Sequence, residues 1–514
     1  MTRNLTEKVK AYYSEHPLRS ILLAGFFFRL LAAVFSRGYG WSDDQFLVVE
    51  VAQSWVDGID YYSWLPDAAG NNQPQGFSFF YVGLHYLFFE ILKFIGINDP
   101  QTKMVFVRLV HAVWSMLTVF FGYKITARLS DRKSARTVGW MLAVFWFFPF
   151  LSVHNLVEFA NIPFLMWGLW LLIKNEKRNT ISLAFWAGFL FGLAFDTRFQ
   201  TALISGSFGL VLLFQKRWKE VFWIALGAFL SMILVQGLVD YFVWGKPFIQ
   251  IIGYVSYNAT HAGDYTVGPW WVYLLFLLGT LIPPVSFFLF AGLFKEWKRL
   301  AILFFPVVIF ILFHSYYPNK QERFIVTIIP FFMIIGTIGW YHISGSFRDK
   351  RWHKASWIFF WTLNTVLLLP ITFTYSKKAR VESMCYLSKY NKDFDSFIIE
   401  DISKSVLGHP PQFYLGKYMN YHPILNNSGT YKQLYKDVKA GKIKEPGFIL
   451  FYHDNDISAR VDSMKVVYPN IVFETRITPG FIDKIFYRLN PINDNQNIYI
   501  YRNKNVIPDK LNDE

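Results

Sequence analysis

The sequence has little cysteine and little charge. Its single cysteine, Cys385, excludes an internal disulfide, and no Cys-x-x-Cys or histidine-rich spacing indicates a metal site. Charged residues make up 17% of the 514 residues, against about 25% in typical soluble proteins. Hydrophobic residues make up 53% and aromatic residues 20%, which is typical of a polytopic membrane protein with aromatic side chains at its interfaces.

The distribution of positive charge along the chain predicts how the protein is oriented in the membrane. The net charge is +15, but Lys and Arg gather in short loops between apolar runs. Such loops typically stay in the cytoplasm, so the charge predicts membrane orientation and no nucleic-acid partner.

Apolar runs predict about eleven membrane-spanning helices, because about 17–25 apolar residues can cross a bilayer. The first run lacks a signal-peptidase cleavage site, so we expect it to remain as an anchor. The runs lie at 18–36, 105–123, 138–152, 156–173, 181–195, 201–213, 221–239, 270–294, 300–314, 324–341 and 355–373.

One further run, at 77–95, is interrupted by Gly, Ser, His and Glu, and we expect it to lie flat at the interface as a juxtamembrane helix. If it spanned the membrane, five basic loops would lie on the opposite side from the basic amino terminus. The loops are 124–136, 174–178, 216–219, 295–299 and 348–354. With 77–95 at the interface, the polar clusters at the other helix ends all face outward.

After residue 373 the sequence resembles that of a soluble protein. The pattern predicts a transmembrane module over 1–374, with an outer loop at 37–103, and an α/β domain over 375–514 on the outer face. Strands are predicted at 396–400, 447–453, 471–477, 485–489 and 497–501, and helices at 380–390 and 431–440.

An acidic cluster follows the first apolar run. Asp43 and Glu50 are seven residues apart, so they share one face of a regular helix, and Asp44 lies one residue off that face. A carboxylate at the membrane surface can act as a general base on an attacking hydroxyl. The alternative is that Asp43 only caps a juxtamembrane helix.

A basic cluster, Asn319-Lys320-Gln321-Glu322-Arg323-Phe324, lies between two late apolar runs. Lys320 and Arg323 fall within one helical turn and can both bind a phosphate, with Glu322 orienting one of them. The alternative is an ordinary basic flank of a transmembrane helix. A phosphate-bearing lipid is the partner that this cluster predicts.

Two further residues at predicted helix ends are candidates for substrate binding. Arg198 follows a span two residues after Asp196, and a local ion pair is the alternative. Arg29, late in the first span, either extends its guanidinium toward the surface or joins the phosphate site.

The longest loop between later spans holds Asn258 and His261 ahead of Trp270-Trp271. Polar and aromatic side chains together suit sugar binding, although interfacial Trp is commonly an anchor. Asn258 begins a glycosylation sequon, and a second sequon begins at Asn426. A glycan at Asn258 would obstruct the site, which favours a bacterial cytoplasmic membrane over the endoplasmic reticulum.

Taken in order, these motifs resemble the GT-C mannosyltransferases of glycosyltransferase family 22, which include the GPI and dolichol-linked oligosaccharide enzymes. Arg29, Ser42-Asp43-Asp44 and Glu50-Val51-Ala52 are similar to the family's Arg, Pro-Asp-Glu and Glu-Val-Ala. Asn155-x-x-Glu158 resembles its Asn-x-x-Glu, and the basic cluster resembles its His-Lys-Glu-x-Arg-Phe. The likeness covers roughly residues 20–345.

The resemblance implies an inverting transferase that uses a polyprenyl-phosphate sugar, with no nucleotide, metal or other cofactor. It maps the catalytic base to Asp43, with Asp44 close behind, and the donor phosphate to Lys320 and Arg323. Glu158 joins the substrate-binding residues through its motif. The acceptor is expected to be a hydroxyl of a glycan or a lipid-linked glycan, and departures at Ser42, Asn319 and Gln321 make mannose only the expected sugar.

Two other functions stay open on the sequence. A flippase or transporter of lipid-linked sugars would have mid-span polar residues and internal repeats, which the sequence does not show. A polymer ligase or oligosaccharyl transferase would use a diphosphate-linked donor. The transferase hypothesis requires that Asp43 and Arg323 meet in one cavity above the bilayer.

Overall fold

The computed structural model describes residues 2–67, 69, 72–74, 76–174, 180–346, 349–401, 409–425, 430–489 and 495–509. The chain forms two compact units. The first consists of Met1–Val34, Tyr62–Leu84 and Phe106–Phe373, and the second of Phe35–Tyr61, His85–Val105 and Thr374–Glu514.

The first unit is helical and supplies the apolar segments. Three of its helices extend into the second unit: Pro17–Phe35, Phe79–Phe94 and Pro100–Leu129. The others are Thr2–Glu15, Arg132–Val144, Phe148–Val153, Val157–Ala160, Ile162–Ile173, Thr180–Thr197, Ala202–Phe214, Trp218–Met232, Leu238–Trp244, Ile249–Thr260, Val272–Thr280, Val285–Lys295, Ala301–Tyr316, Ile329–Ile343 and Arg351–Thr372. A π-helical turn at Ile233–Gly237 and 3₁₀ turns at Phe199–Thr201, Glu322–Ile328 and Ser344–Ser346 connect some of them.

Every predicted span coincides with a helix or with consecutive helices. By length and composition, six helical segments of the described ranges are long and apolar enough to cross a membrane. Helices Val272–Thr280 and Val285–Lys295, predicted as one span at 270–294, are bent by 119° and add a seventh if counted together. The total of eleven stays a prediction, because several segments are short or broken.

The break between helices Arg132–Val144 and Phe148–Val153 shows how backbone carbonyls of the first unit find hydrogen-bond partners. Helix Arg132–Val144 ends where Phe145 adopts an extended conformation, which leaves carbonyl groups without helical partners. The fully buried Arg29 donates to the carbonyls of Leu142 at 3.0 Å and Ala143 at 2.7 Å, and to Ser115 Oγ at 2.9 Å. Arg29 is thus neither at the surface nor free for a phosphate, contrary to both sequence alternatives.

Asn364 completes the same break from helix Arg351–Thr372. Its amide nitrogen donates to the Val144 carbonyl at 2.9 Å, and its oxygen accepts from the Trp146 N–H at 2.9 Å. Hydrocarbon offers no hydrogen bonds, so an interrupted helix is stable there only when buried side chains replace its missing partners.

Helix Phe79–Phe94, at the run predicted to lie at the interface, has two different faces. Val82 and Phe89 are buried, whereas Leu87 and Ile91 are exposed and Phe94 is 91% exposed. The interfacial orientation of this helix stays a prediction.

The second unit contains a five-stranded sheet. Its strands are β1 (Ser396–Asp401), β2 (Asn420–Leu425), β3 (Phe448–Tyr452), β4 (Ile471–Ile477) and β5 (Ile498–Asn503), in the order β2-β1-β3-β5-β4. β1, β2 and β3 are parallel, and β5 is antiparallel to β3 and β4. The unit also has helices Ser42–Asp44, Glu50–Val56, Lys378–Leu387, Thr430–Lys439, Ile457–Lys465 and Phe481–Leu489, a π-helical turn at Gln45–Val49, and 3₁₀ turns at Ser388–Tyr390 and Gln412–Leu415.

Four of the five predicted strands are present, and the strand predicted at 485–489 is wrong. That segment ends helix Phe481–Leu489, because Phe481, Ile485 and Leu489 repeat at the helical interval of four. The strand β2 was missed because Pro423 interrupts its pattern. β2 is an edge strand, where a residue without an N–H is tolerated.

The second unit reaches beyond the predicted carboxyl-terminal domain into the predicted outer loop at 37–103. Ser36 Oγ donates to the Thr374 carbonyl at 2.8 Å, and the Ser376 N–H donates to the Arg37 carbonyl at 3.1 Å. Gln101 Nε2 lies 3.3 Å from the Tyr375 hydroxyl. Segments that the sequence assigned to the membrane module therefore pack with the α/β domain.

We expect Arg29→Met to lower stability, because it leaves the carbonyls of Leu142 and Ala143 buried without partners, at about 1–3 kcal/mol each. The measurement is the midpoint of thermal unfolding of the full-length protein in detergent. Arg19→Met is the matched control, since Arg19 is exposed on the same helix. Equal midpoints for the two variants would contradict the role assigned to Arg29.

Candidate functional site

Three charged residues from distant parts of the first unit meet at helix ends, and we call them the Glu158 cluster. Glu158 lies in the short helix Val157–Ala160, Arg198 follows helix Thr180–Thr197, and Arg323 lies in the turn Glu322–Ile328. Arg198 Nη2 is 2.9 Å from Glu158 Oε1, and Arg323 Nε is 3.8 Å from the same oxygen. One carboxylate therefore faces two guanidinium groups.

Breaks in the helices place these side chains. Asn155 has a left-handed backbone (φ 42°) between helices Phe148–Val153 and Val157–Ala160. Arg198 is extended (φ −150°, ψ 108°), which ends its helix before the 3₁₀ turn Phe199–Thr201. The Thr327 hydroxyl donates to the Glu158 carbonyl at 2.8 Å and fixes that backbone. The same interruptions that shorten the apolar runs thus create the charged cluster.

The Glu158 cluster has one more cation than anion and, within the described part of the chain, an unused hydrogen-bond donor. Glu158 and Arg323 are buried, and the side chain of Arg198 is 12% exposed. Both guanidinium carbons lie 5.5 Å from the centre of the Phe324 ring. Among the described residues, the buried Nε of Arg198 has no hydrogen-bond acceptor. A phosphate would supply acceptors to such a donor, because guanidinium and phosphate match in geometry.

The ammonium group of Lys320 binds backbone carbonyls, and the phosphate contact predicted for it stays a prediction. Its ammonium group donates to the carbonyls of His314 at 2.7 Å and Ser315 at 2.9 Å, and also to that of Tyr317. These three bonds use all its hydrogens at the carboxyl end of helix Ala301–Tyr316, where carbonyl groups lack helical partners. The observed contacts favour helix capping over phosphate binding.

Three polar atoms near Lys320 belong to residues that the sequence did not predict as site residues. His314 Nε2, Ser315 Oγ and Asn319 Oδ1 are buried and, within the described ranges, have no hydrogen-bond partner. The His314 ring lies 6.1 Å from that of Phe324, which borders the Glu158 cluster. Asn319 was named only as part of the basic cluster, and the sequence signal for His314 and Ser315 was their polarity at the end of an apolar run.

The Tyr273 hydroxyl holds the basic motif in place. It donates to the Gln321 carbonyl at 3.1 Å, and it accepts from the Gln321 N–H at 3.2 Å. Gln321 in turn accepts from Arg323 Nε through its side-chain oxygen at 2.8 Å. Glu322 is exposed and, in the part of the chain described, pairs with neither Lys320 nor Arg323, so its predicted orienting role has no support.

Asp196 and Asn258, which were also named from the sequence, are not part of the Glu158 cluster. Arg198 pairs with Glu158 and not with Asp196, whose carboxylate accepts from Ser231 at 3.1 Å. Asn258 accepts from the Tyr317 hydroxyl through its carbonyl at 2.9 Å and its side-chain oxygen at 3.2 Å.

His261 is exposed and stacks on Tyr257 with ring centres 4.4 Å apart. The second sequon, at Asn426, lies outside the described residues.

The acidic segment belongs to the second unit. Helix Ser42–Asp44 leads into the π-helical turn Gln45–Val49 and then helix Glu50–Val56. The expectation that Asp43 and Glu50 share one face assumed a regular α-helix, and the π-helical turn changes that phase. Asp43 is half-buried, whereas Asp44 is 3% exposed, so Asp43 is the more accessible carboxylate.

Glu50 is held by hydrogen bonds within the second unit. Its carboxyl group is fully buried and accepts from the Phe413 N–H at 2.9 and 3.1 Å and from Gln45 Nε2 at 3.0 Å. Burial raises the pKa of Glu50 to about 8, and these donors oppose the rise. These bonds tie Glu50 to the turn Gln412–Leu415, and the substrate-binding role predicted for it stays a prediction.

Side chains of the α/β domain also pack against the acidic segment. The Phe46 ring lies 6.0 Å from that of His409 and 6.1 Å from that of Tyr39. Burial lowers the pKa of His409, and the nearby Arg380 guanidinium lowers it further. Arg380 is itself buried, and sequence reasoning missed it because nothing in the local sequence marks its proximity to His409.

The prediction that Asp43 and Arg323 share one cavity joins residues of the two units and stays a prediction. The described residues contain no group of three or more His, Cys, Asp or Glu side chains that could hold a metal ion.

The fold is similar to that of a solved membrane protein, ArnT from Cupriavidus metallidurans bound to undecaprenyl phosphate. The TM-score is 0.61, with 11% sequence identity over 96% of this chain and 98% of that one. The likeness establishes a GT-C fold for a chain with the apolar helices and mixed sheet described above.

Curated relatives are mannosyltransferases at low identity. GPI alpha-1,2-mannosyltransferase 3 of Mus musculus is 24% identical over 361 residues, 68% of this chain and 62% of that protein. Mannosyltransferase APTG1 of Arabidopsis thaliana is 24% identical over 329 residues, 62% of this chain and 57% of that protein. The chain thus spans about three-fifths of the length of these two relatives.

The model of the Alg9-like mannosyltransferase family matches residues 20–404, which include both the Glu158 cluster and the acidic segment. This match confirms the resemblance read from the motifs and extends it beyond the predicted residue 345. The chain belongs to the Alg9-like mannosyltransferase family.

Proposed function

We propose that this protein is a membrane glycosyltransferase that moves a mannose-like hexose from a polyprenyl-phosphate sugar to a hydroxyl of a glycan or lipid-linked glycan. The observation that carries the proposal is the buried Glu158 cluster, in which one carboxylate faces two guanidinium groups. The relatives named as mannosyltransferases support the sugar, and the undecaprenyl phosphate of the ArnT structure supports the lipid class of the donor.

The proposed reaction is a single displacement. The Asp43 carboxylate takes the proton of the acceptor hydroxyl, whose oxygen attacks the anomeric carbon of the donor. The bond from that carbon to the phosphate oxygen breaks, and the lipid phosphate leaves as an anion. Attack from the face opposite the phosphate inverts the anomeric configuration.

Arg198 and Arg323 supply the electrostatic part of the reaction. Negative charge grows on the phosphate as its bond to the sugar breaks. Guanidinium groups held in fixed positions therefore stabilise the transition state more than they stabilise the bound donor. In this proposal Lys320 acts indirectly, because its cap at the end of helix Ala301–Tyr316 holds the chain that leads to Arg323.

The basic loops support an orientation in which the acidic segment, the basic cluster and the carboxyl-terminal domain face away from the cytoplasm. A polyprenyl-phosphate sugar would then be used on the outer leaflet. Nucleotide sugars are largely cytoplasmic reagents, so this orientation also favours a lipid-linked donor.

The function is tested by supplying the purified protein with three donors separately: polyprenyl-monophosphate mannose, polyprenyl-diphosphate mannose and nucleotide-linked mannose. We expect product with the monophosphate donor, and an inverted anomeric centre by nuclear magnetic resonance. Product only with the diphosphate donor would indicate a ligase or oligosaccharyl transferase, and product only with the nucleotide would contradict the lipid donor.

We expect Asp43→Asn to lower the turnover number by about 10²–10⁴-fold, the range for loss of a general base. Initial rates at saturating donor measure the effect, and an unchanged thermal midpoint shows that folding is intact. Asp44→Asn is the comparison, since Asp44 is buried next to Asp43. Near-normal turnover in the Asp43 variant would remove that residue from the mechanism.

We expect Arg198→Lys to raise the KM for the lipid donor by about 10-fold or more, because a point charge cannot replace a guanidinium that binds phosphate through two bonds. Lys320→Met should instead lower the midpoint of thermal unfolding, because it removes the hydrogen bonds from the ammonium group to the last carbonyls of helix Ala301–Tyr316. Arg217→Lys is the control, as Arg217 pairs with Glu220 at the start of another helix. The assignment fails if Arg198→Lys changes only the midpoint.

A further inference from the structure

Helix Phe481–Leu489 of the second unit carries an apolar ridge that the unit does not cover. Phe481 is 75% exposed, Leu489 76%, Phe486 44% and Ile485 37%. Phe481, Ile485 and Leu489 follow one another at intervals of four residues, so they form one line along the helix. The exposed side of this helix is therefore its apolar side.

The opposite side of the helix fixes this orientation. Asp483 is buried, and its carboxylate oxygens accept from the N–H groups of Lys377 at 3.2 Å and Lys378 at 3.1 Å. Gly480, directly before the helix, lies so close to the Tyr375 carbonyl that an added Cβ would be 3.0 Å from its oxygen. These contacts hold the helix with its ridge turned outward.

We call the contacts of Asp483 with Lys377 and Lys378 the anchor. The anchor lies close in the chain to a segment that can cross a membrane. Lys377 and Lys378 follow helix Arg351–Thr372, an apolar helix long enough to cross a bilayer, by only five and six residues. Five extended residues reach at most about 18 Å. The helix is thus tied to the segment by which the chain leaves the hydrocarbon.

The charge around the ridge matches a lipid surface. Lys484 and Arg488 are exposed on the same helix, on the flank of the ridge next to Phe481 and Ile485. The nearest acid of the helix, Asp483, is buried in the anchor. Apolar side chains next to a basic flank are the pattern of a helix that lies in the headgroup region, with its cations on lipid phosphates.

We propose that helix Phe481–Leu489 docks on the bilayer in which the protein is embedded, with the ridge among the acyl chains and the basic flank on anionic headgroups. The family match ends at residue 404, so this surface is a feature of the domain beyond it. Docking is independent of sugar transfer. It would limit how far the α/β domain can tilt away from the membrane.

Spin labels on the full-length protein in nanodiscs of phosphatidylcholine and phosphatidylglycerol test the proposal. In a Cys385→Ser background, Ile485→Cys and Leu489→Cys are labelled separately, and Lys465→Cys is the control on the exposed side of helix Ile457–Lys465. We expect labels at 485 and 489 to be relaxed more by oxygen, which partitions into lipid, than by a water-soluble nickel complex. The label at 465 should show the reverse.

Two results would overturn the proposal. Equal access of the nickel complex at 485, 489 and 465 would place the ridge in water. Shielding of 485 and 489 from both reagents would show that protein, either another segment or a second copy, covers the ridge. Two label positions keep the test informative if one substitution disturbs the helix.

The charge is tested in the same system with Lys484→Glu and Arg488→Glu together, against Lys465→Glu as the matched control. Each basic residue near an anionic surface contributes roughly fivefold to binding, so the double variant should lose lipid contact in the anionic nanodiscs. The ratio of spin-label relaxation by oxygen to relaxation by the nickel complex is measured at position 489. An unchanged ratio would overturn the assignment of anionic lipid as the partner.

Discussion

The first unit depends on one constraint: every backbone group that a broken helix leaves unpaired inside hydrocarbon must find a partner within the protein. Its apolar helices are interrupted repeatedly, and at two of these interruptions polar side chains bind the carbonyl groups that the helix leaves unpaired. Arg29 and Asn364 complete the end of helix Arg132–Val144, and Lys320 completes the end of helix Ala301–Tyr316.

This constraint separates the buried cations into two groups. Arg29 and Lys320 direct their donors to backbone carbonyls, so their charge is used in holding the fold. Arg198 and Arg323 instead face the carboxylate of Glu158, and Arg198 has an unused donor. A buried positive charge is costly unless an anion accompanies it, and here one carboxylate accompanies two guanidinium groups. In the proposed function, the phosphate of the donor supplies the further anion.

The acidic segment is stabilised in another way. The buried carboxyl group of Glu50 binds the backbone of Phe413, and Phe46 packs on His409, so residues beyond the family match support a motif that lies within it. The α/β domain is therefore part of the structure that presents Asp43. A helix of the same domain carries the exposed apolar ridge. Its proposed docking on the bilayer would hold the α/β domain, and with it the acidic segment, at the membrane surface.

The sequence by itself determined the class of the protein, the positions of the apolar helices, four strands and the family, because composition, periodicity and motif spacing are local properties. It also selected Glu158, Arg198 and Arg323 as candidates. It could not separate Lys320 from Arg323, since both are cations near a helix end, and only the fold shows which one reaches the carbonyls of Tyr317 and its neighbours. The contacts of Glu50, the partner of Arg198 and the burial of Arg380 depend on residues far apart in the chain, which tertiary packing alone decides.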